Sequence, residues 1–419
     1  MATGHLSNRG PTYRHPEEYI PLRLLYIRPA DAVPSSESYE SFIHRQRAEG
    51  EQREQREEIE ENAPKPTPEP SFWFNWKLWA LGLLAVCTFV TAVVLPIEIH
   101  LMNRYPDYSP LSYTLQTAYS GVNFFDAWDF GNGTEATNGF TNYVTREGAV
   151  WSNLTYATPE QAIIKVLAQD ETGLAGRPTV KLLSKQRYTQ GLFIFDIEHV
   201  PYGCGTWPAI WTSDPDPNVW PSRGEIDIVE AVNQGNKGVQ MALHTTKGCQ
   251  MRKVKRKQSG KILSTNCLNS TNNNMGCAVS GPTDSYGEAV NRNGGGIYAM
   301  EWRSAGIRMW FFPRDKIPHN VQAALGLSQR SNKDVKPDPS QWDEATADFP
   351  STSCDIDRHF RDHRIIINIS LCGDWAGAQS VYADEYGCPG TCSHYVSGTP
   401  EAFKEAYWAI NSIRVYTGI

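Results

Sequence analysis

The chain has 419 residues, enough for one large domain or two ordinary ones, and 40% hydrophobic with 11% aromatic residues suits a sizeable core. A formal net charge of −7 argues against nucleic acid as a partner. A neutral polysaccharide needs no charge complementarity, so that class stays open; the thirteen tryptophans either stack on sugar faces or fill the core.

In chain order, residues 1–77 are expected to be a disordered tail. Glu49 to Glu61 is dense in Glu, Gln and Arg, and Ala63 to Pro70 holds four prolines, so little apolar surface offsets chain entropy. A short amphipathic patch, Tyr19 to Tyr26, is either a partner site or ordinary tail. Leu78 to Ile97 follows, twenty residues without a charge between Lys77 and Glu98, the length that crosses a hydrocarbon core. Trp73, Trp76 and Trp79 cluster at one end as interfacial anchors do. The preceding tail is too long for the n-region of a cleaved signal peptide, so the segment reads as a signal anchor.

Lys65 and Lys77 before the span and Arg104 after it give only a slight positive-inside bias. The sequons decide the orientation: Asn132, Asn153 and Asn269, with Asn368 in an apolar strand-like run, all follow the span. Of nine cysteines, Cys87 lies within the span and the other eight follow it, an even number suited to disulfides in an oxidising compartment. The expectation is a single-pass type II membrane protein: a cytosolic tail, a stem over residues 98–117, and a catalytic domain over 118–419 that is lumenal or extracellular. Short strands dominate that last region: Gly191 to His199, Gly224 to Glu230, Val239 to His244, Ile297 to Trp302, Ile307 to Phe312, Ile365 to Leu371 and Ala409 to Tyr416. Turn-rich links between them favour an all-β sandwich. The loop Cys249 to Cys277 is expected to be pinned by disulfides of unassigned pairing. Zinc is the alternative for Cys388 and Cys392, with no second ligand pair in view.

The stretch Gly224-Glu-Ile-Asp-Ile-Val-Glu230 carries three acids in six residues. As a strand it puts Glu225 and Asp227 on one face and Ile226 and Ile228 in a core. Strict alternation would bury Glu230, so a one-residue bulge near Ile228-Val229 is expected to return it to the acidic face. Such clustering fits a calcium site, a solvated strand face, or two acids flanking a glycosidic bond. The third reading needs two carboxyls roughly 5 Å apart. Glu225 and Glu230 lie about 13–17 Å apart along an extended strand, a gap that the bulge and two long side chains would narrow. Asp227 between them would raise a neighbour's pKa.

Around this motif lie Gly203-Cys-Gly-Thr-Trp207-Pro-Ala-Ile-Trp211, Trp220, His244 and Cys372-Gly-Asp-Trp375-Ala-Gly. With Tyr119 to Phe125, Gly139 to Val144, Tyr298 to Trp302, Trp310 to Arg314 and Ala406 to Ser412, they make the chain from about Ala118 to Ile419 resemble glycoside hydrolase family 16, in its fungal endo-1,3(4)-β-glucanase branch. The resemblance implies a concanavalin-like β-jelly-roll with a glucan cleft across its concave sheet. It implies Glu225 as nucleophile, Glu230 as acid/base and Asp227 as their electrostatic partner. His244 would sit beside the acid/base, or else be a satisfied core histidine. Trp220 and Trp375 would stack on sugars either side of the cleavage point, with Trp211 and Trp207 as further candidates. Arg187 and Asn233 are additional polar candidates for sugar hydroxyls. A monomer that needs neither metal nor organic cofactor is expected. Transglycosylation uses the same acids and stays open, as does, from another class, a non-catalytic glucan-binding protein.

Overall fold

In the computed structural model, residues 76–102 and 104–419 are described, apart from 135–136, 170–175, 236 and 328–334, together with a few scattered positions before residue 76. Apart from those positions and Trp76 and Lys77, which begin the helix, the expected disordered tail lies outside the described residues. The apolar segment is helical: Trp76–Phe89, a π turn at Val90–Val94, then Leu95–Met102. Its stretch of bilayer-crossing length and composition is Leu78–Ile99, two residues longer than the uncharged run.

From Tyr113 onward the chain builds two eight-stranded antiparallel sheets with a small parallel pair, Thr141–Tyr143 with Arg177–Thr179, beside them. One sheet runs in the order Ala347–Pro350, Gly306–Pro313, Gly296–Arg303, Gly191–His199, Tyr407–Gly418, Ala162–Lys165, Thr155–Ala157, with Tyr113–Tyr119 also paired to Tyr407–Gly418. The other, which carries the acidic motif, runs Lys261–Ile262, Cys277–Ser280, Gln240–His244, Glu225–Glu230, Thr206–Ser213, His363–Leu371, Lys181–Tyr188, Trp128–Phe130. All seven strands expected from the sequence are present within a residue or two of their ends.

Alternation explains the core. Ile365, Ile367 and Ile369 point inward with Ile226 and Ile228, and meet Phe193, Phe195 and Met300 from the opposite sheet. Gly191–His199 reads as an apolar run rather than an alternating one because both its faces are covered. Leu192 and Ile194 face a second cluster with Trp310, Phe312, Val321 and Trp342. The segment expected as stem is shorter than supposed, since Tyr113–Tyr119 is a strand held by the C-terminal strand.

Eight cysteines form four disulfides: Cys204–Cys388, Cys249–Cys354, Cys267–Cys277 and Cys372–Cys392. This removes zinc as the alternative for Cys388 and Cys392. The loop from Cys249 to Cys277 is pinned at both ends, but to different partners.

Candidate active site

The acidic strand pairs with its neighbours in two registers. On one side Asp227 faces Ala242 and Glu230 faces Gln240; on the other Asp227 faces Trp211 and Val229 faces Ile210. One residue is therefore extra at Ile228, the bulge expected from the charge of Glu230. Ile226, Ile228 and Val229 are buried in the core, while Glu225 and Glu230 are half-buried on the open face with Asp227 buried between them.

Each acid has its own partner. The indole N–H of Trp220 donates to Glu225 Oε2 at 2.8 Å, and that of Trp207 to Glu230 Oε1 at 2.8 Å. His244, opposite Glu225 on the next strand, places Nε2 3.0 Å from Asp227 Oδ2, an ion-pair contact, and Nδ1 3.1 Å from Asn274 Oδ1. Burial, then the charge of Asp227, pushes Glu225 up to about 7 and Glu230 up to about 8. Burial alone would pull His244 down, but Asp227 and then the two glutamates outweigh it and lift the imidazole to about 10. The cluster therefore holds one cation against three acids, and a proton kept on Glu230, the more strongly raised of the two glutamates, relieves much of the remaining repulsion while Glu225 gives up its proton first.

Glu225, Asp227 and His244 also bring one ligand atom each within 4.8 Å of one another, close enough to surround a cation. Calcium takes six to eight oxygens, which this set of two carboxylates and an imidazole does not supply. Each group is moreover already engaged by an indole, an imidazole or a carboxylate. The site works as a self-neutralising acid cluster.

Trp207, Trp211, Trp220 and Trp375 are all half-buried, so each is anchored while part of its ring stays open. Trp207 and Trp375 meet edge to face with centroids 5.8 Å apart. Trp220 is aimed by a loop tied down by four ion pairs: Arg187 and Arg223 each reach both Asp214 and Asp362, at 2.6–2.8 Å. Arg187 is thus committed to this network and is not placed as a sugar ligand. Asn233 is fully buried and bridges Gly205 N at 2.7 Å and Ala376 O at 3.2 Å, so it braces the loops and does not meet substrate.

Sequence reasoning missed a second polar row on the same face. Trp211 Nε1 donates to Asn368 Oδ1 at 2.7 Å, and Asn368 Nδ2 donates to Tyr143 Oη at 3.1 Å and Ser370 Oγ at 2.9 Å. The Lys181 ammonium lies 5.2 Å over the Trp211 ring and 5.6 Å over Tyr143. The signal was legible as Asn368 and Ser370 alternating with isoleucines, which sets two polar groups on the face away from the core. Of the sequons, Asn132 and Asn153 are exposed and Asn269 half-buried, whereas Asn368 is buried in this row.

Comparison with known proteins follows the same residues. A family model described as the XgeA-like catalytic GH16 domain matches residues 128–416. A probable glycosidase of Schizosaccharomyces pombe is 44% identical over 317 residues, covering 75% of this chain and 71% of that protein. A probable endo-1,3(4)-β-glucanase of Aspergillus fumigatus is 37% identical over 317 residues, but this chain spans only 45% of its length. Among solved structures, laminarinase 16A of Phanerochaete chrysosporium, with β-glucans in donor and acceptor sites, superposes with a TM-score of 0.67 at 39% identity, over 73% of this chain and 99% of that one. An elongating family 16 β-1,3-glucosyltransferase gives 0.65 at 37% identity, over 73% and 100%.

Proposed function

The chain belongs to glycoside hydrolase family 16, and from that premise we propose that it cleaves internal β-1,3 or β-1,4 bonds of β-glucans with retention of configuration. The Glu225 carboxylate attacks the anomeric carbon while Glu230 passes its proton to the departing glycosidic oxygen. Glu230, now a carboxylate, takes a proton from water, whose oxygen displaces Glu225 and restores both groups. Asp227 and His244 set the charge on the pair, and Trp220 and Trp207 fix where each carboxylate points. Trp375 and Trp211 offer ring surface for sugars. One observation supports this above all. The bulge at Ile228 puts the three acids on one face, with two of them raised toward neutral pH and the higher value on the proposed proton donor.

The solved glucosyltransferase relative supports a second reading, in which a glucan hydroxyl replaces water in the second step. Incubating the full-length protein in detergent with laminarin, lichenan and reduced oligosaccharides, then sizing products by mass, separates the two. Shorter products alone indicate hydrolysis, and products longer than the donor indicate transfer. Glucan bound but uncut would return the non-catalytic reading.

We further propose type II topology, with residues 78–99 in the bilayer and the sandwich on the lumenal or extracellular side. Four disulfides in the sandwich and the sequons after the helix support it. Endoglycosidase treatment should lower the apparent mass of the native protein. An unshifted band, with a sandwich open to protease added on the cytosolic side, would reverse the orientation.

A further inference from the structure

His244 is held from two sides, and the chemistry proposed above uses only one of them. Nε2 meets Asp227 Oδ2 at 3.0 Å on the acidic strand, and Nδ1 lies 3.1 Å from Asn274 Oδ1. Asn274 belongs to the loop that leads into Cys277–Ser280, the strand paired with Gln240–His244 on its other edge. The imidazole is buried, and the acids that face it, Asp227, Glu225 and Glu230, all come from the acidic strand. From Ala231 to Thr283 the chain has no acid, so the loop side offers His244 a neutral carbonyl.

The loop is built to present that carbonyl. Cys267–Cys277 closes it over ten residues. Inside, Asn272, Asn273 and Asn274 take φ of 49°, 53° and 59°, a left-handed conformation that Asn accepts more readily than most residues with a side chain. Asn274 N donates to Thr271 O at 3.1 Å and Met275 N to Asn272 O at 3.1 Å, which fixes the turn. Gly276 then passes so close to the ring that a Cβ there would fall 2.9 Å from His244 Nδ1. All three asparagines are exposed, and Asn274 is the one whose side chain reaches the imidazole.

We propose that Asn274 is a positioning residue of this site: its side-chain carbonyl accepts from Nδ1–H of His244 and holds the ring as a cation with Nε2–H on Asp227. The role rests on the double displacement proposed above, in which that cation sets the charge on the two glutamates. An imidazolium carries two N–H donors where a neutral ring carries one, and an unpaired donor in a buried site would oppose the charge. An amide supplies the second acceptor without adding a fourth negative charge to the cluster.

The test compares variants of the full-length protein in detergent. Asn274→Gly keeps the left-handed backbone and removes the carbonyl, Asn274→Asp returns an acceptor oxygen, and Asn272→Gly alters the loop away from His244. At each variant's own pH optimum, Asn274→Gly should lower kcat on laminarin about 10-fold with KM little changed. Asn274→Asp should recover most of that loss, and Asn272→Gly should match the wild type. With 15N-labelled histidine, and the His244 signal assigned by its loss in His244→Asn, Asn274→Gly should lower the imidazolium's titration midpoint by about one pH unit or more. Wild-type kcat and midpoint in Asn274→Gly confine Asn274 to its backbone and overturn the proposal. A loss that Asn274→Asp does not recover, or that Asn272→Gly shares, also overturns it. A wild-type protein that turns over no glucan overturns the double-displacement reading and this role with it, whereas an active wild type with an unmoved His244 midpoint in Asn274→Gly overturns this role alone.

Discussion

Glu225 and Glu230 differ from ordinary surface glutamates in carrying protons toward neutral pH, and this has consequences for activity and for stability. Glu225→Gln and Glu230→Gln should each abolish turnover of laminarin while leaving the fold intact by circular dichroism; near-normal activity in either would remove its proposed role. Their folded-state values, about 7 and about 8, lie above the ordinary 4.5. The folded state therefore binds these protons more tightly, and stability falls as pH rises from about 4.5 toward 8. Each glutamine variant should gain melting temperature over the wild type, with the gap widening across that window. His244 has the opposite charge. Its raised value means stability fully present below about 6.5 and lost progressively as pH rises from there to about 10. Because its cation lowers both glutamates, His244→Asn should shift both limbs of the pH–rate profile upward. A profile that only drops in height would mean a structural role. Trp207→Phe and Trp220→Phe each delete one N–H to a carboxylate, a bond to a charged group of about 1.5–3 kcal/mol, and should cost roughly 10- to 100-fold in kcat.

Within the acidic strand, the bulge is the feature on which the site depends. Deleting Ile228 would restore regular pairing with Glu230 still on the acidic face, because one residue fewer keeps the alternation, but it would remove a buried isoleucine and the local twist that aims Glu230. Destabilisation by about 2–5 kcal/mol from the lost core side chain and a fall in kcat from the changed aim of Glu230 are expected, and a deletion with unchanged kcat would show that the bulge is dispensable. The loop carrying Trp220 has its own support in Arg223. Arg223→Ala leaves buried Asp214 with one cation where it had two. It should destabilise by about 1–3 kcal/mol and lower kcat/KM through misplacement of Trp220. Chemical denaturation and kinetics on the same variant would separate the two effects.

Across the whole molecule, the disulfides tie distant segments to the site. Cys204–Cys388 links positions 184 residues apart and Cys372–Cys392 closes the segment carrying Trp375. Removing the latter pair as Cys372→Ser with Cys392→Ser should raise KM more than it lowers kcat, because Trp375 is proposed to hold substrate rather than to react. An unchanged KM would detach that tryptophan from binding. The first strand, Tyr113–Tyr119, is paired with the C-terminal strand, so a soluble fragment beginning at Ala118 would remove most of it.

Local pattern carried a great deal. Short β-rich runs between turn-rich links located seven strands; alternation within one of them forced the bulge, since Glu230 had nowhere else to go; charge-free length marked the helix; and the even cysteine count implied disulfides. These are properties of neighbouring residues, which sequence order preserves. The indole donors on Glu225 and Glu230, the His244 contact to Asp227 and the Asn368 row depend on which strands lie side by side. Strand order brings Trp207 beside Glu230 across 23 residues of chain and Trp211 beside Asn368 across 157. The disulfide partners and the diversion of Arg187 into an ion-pair network are likewise long-range. Spacing along the chain does not encode them; only the packed sheets decide which polar groups become neighbours.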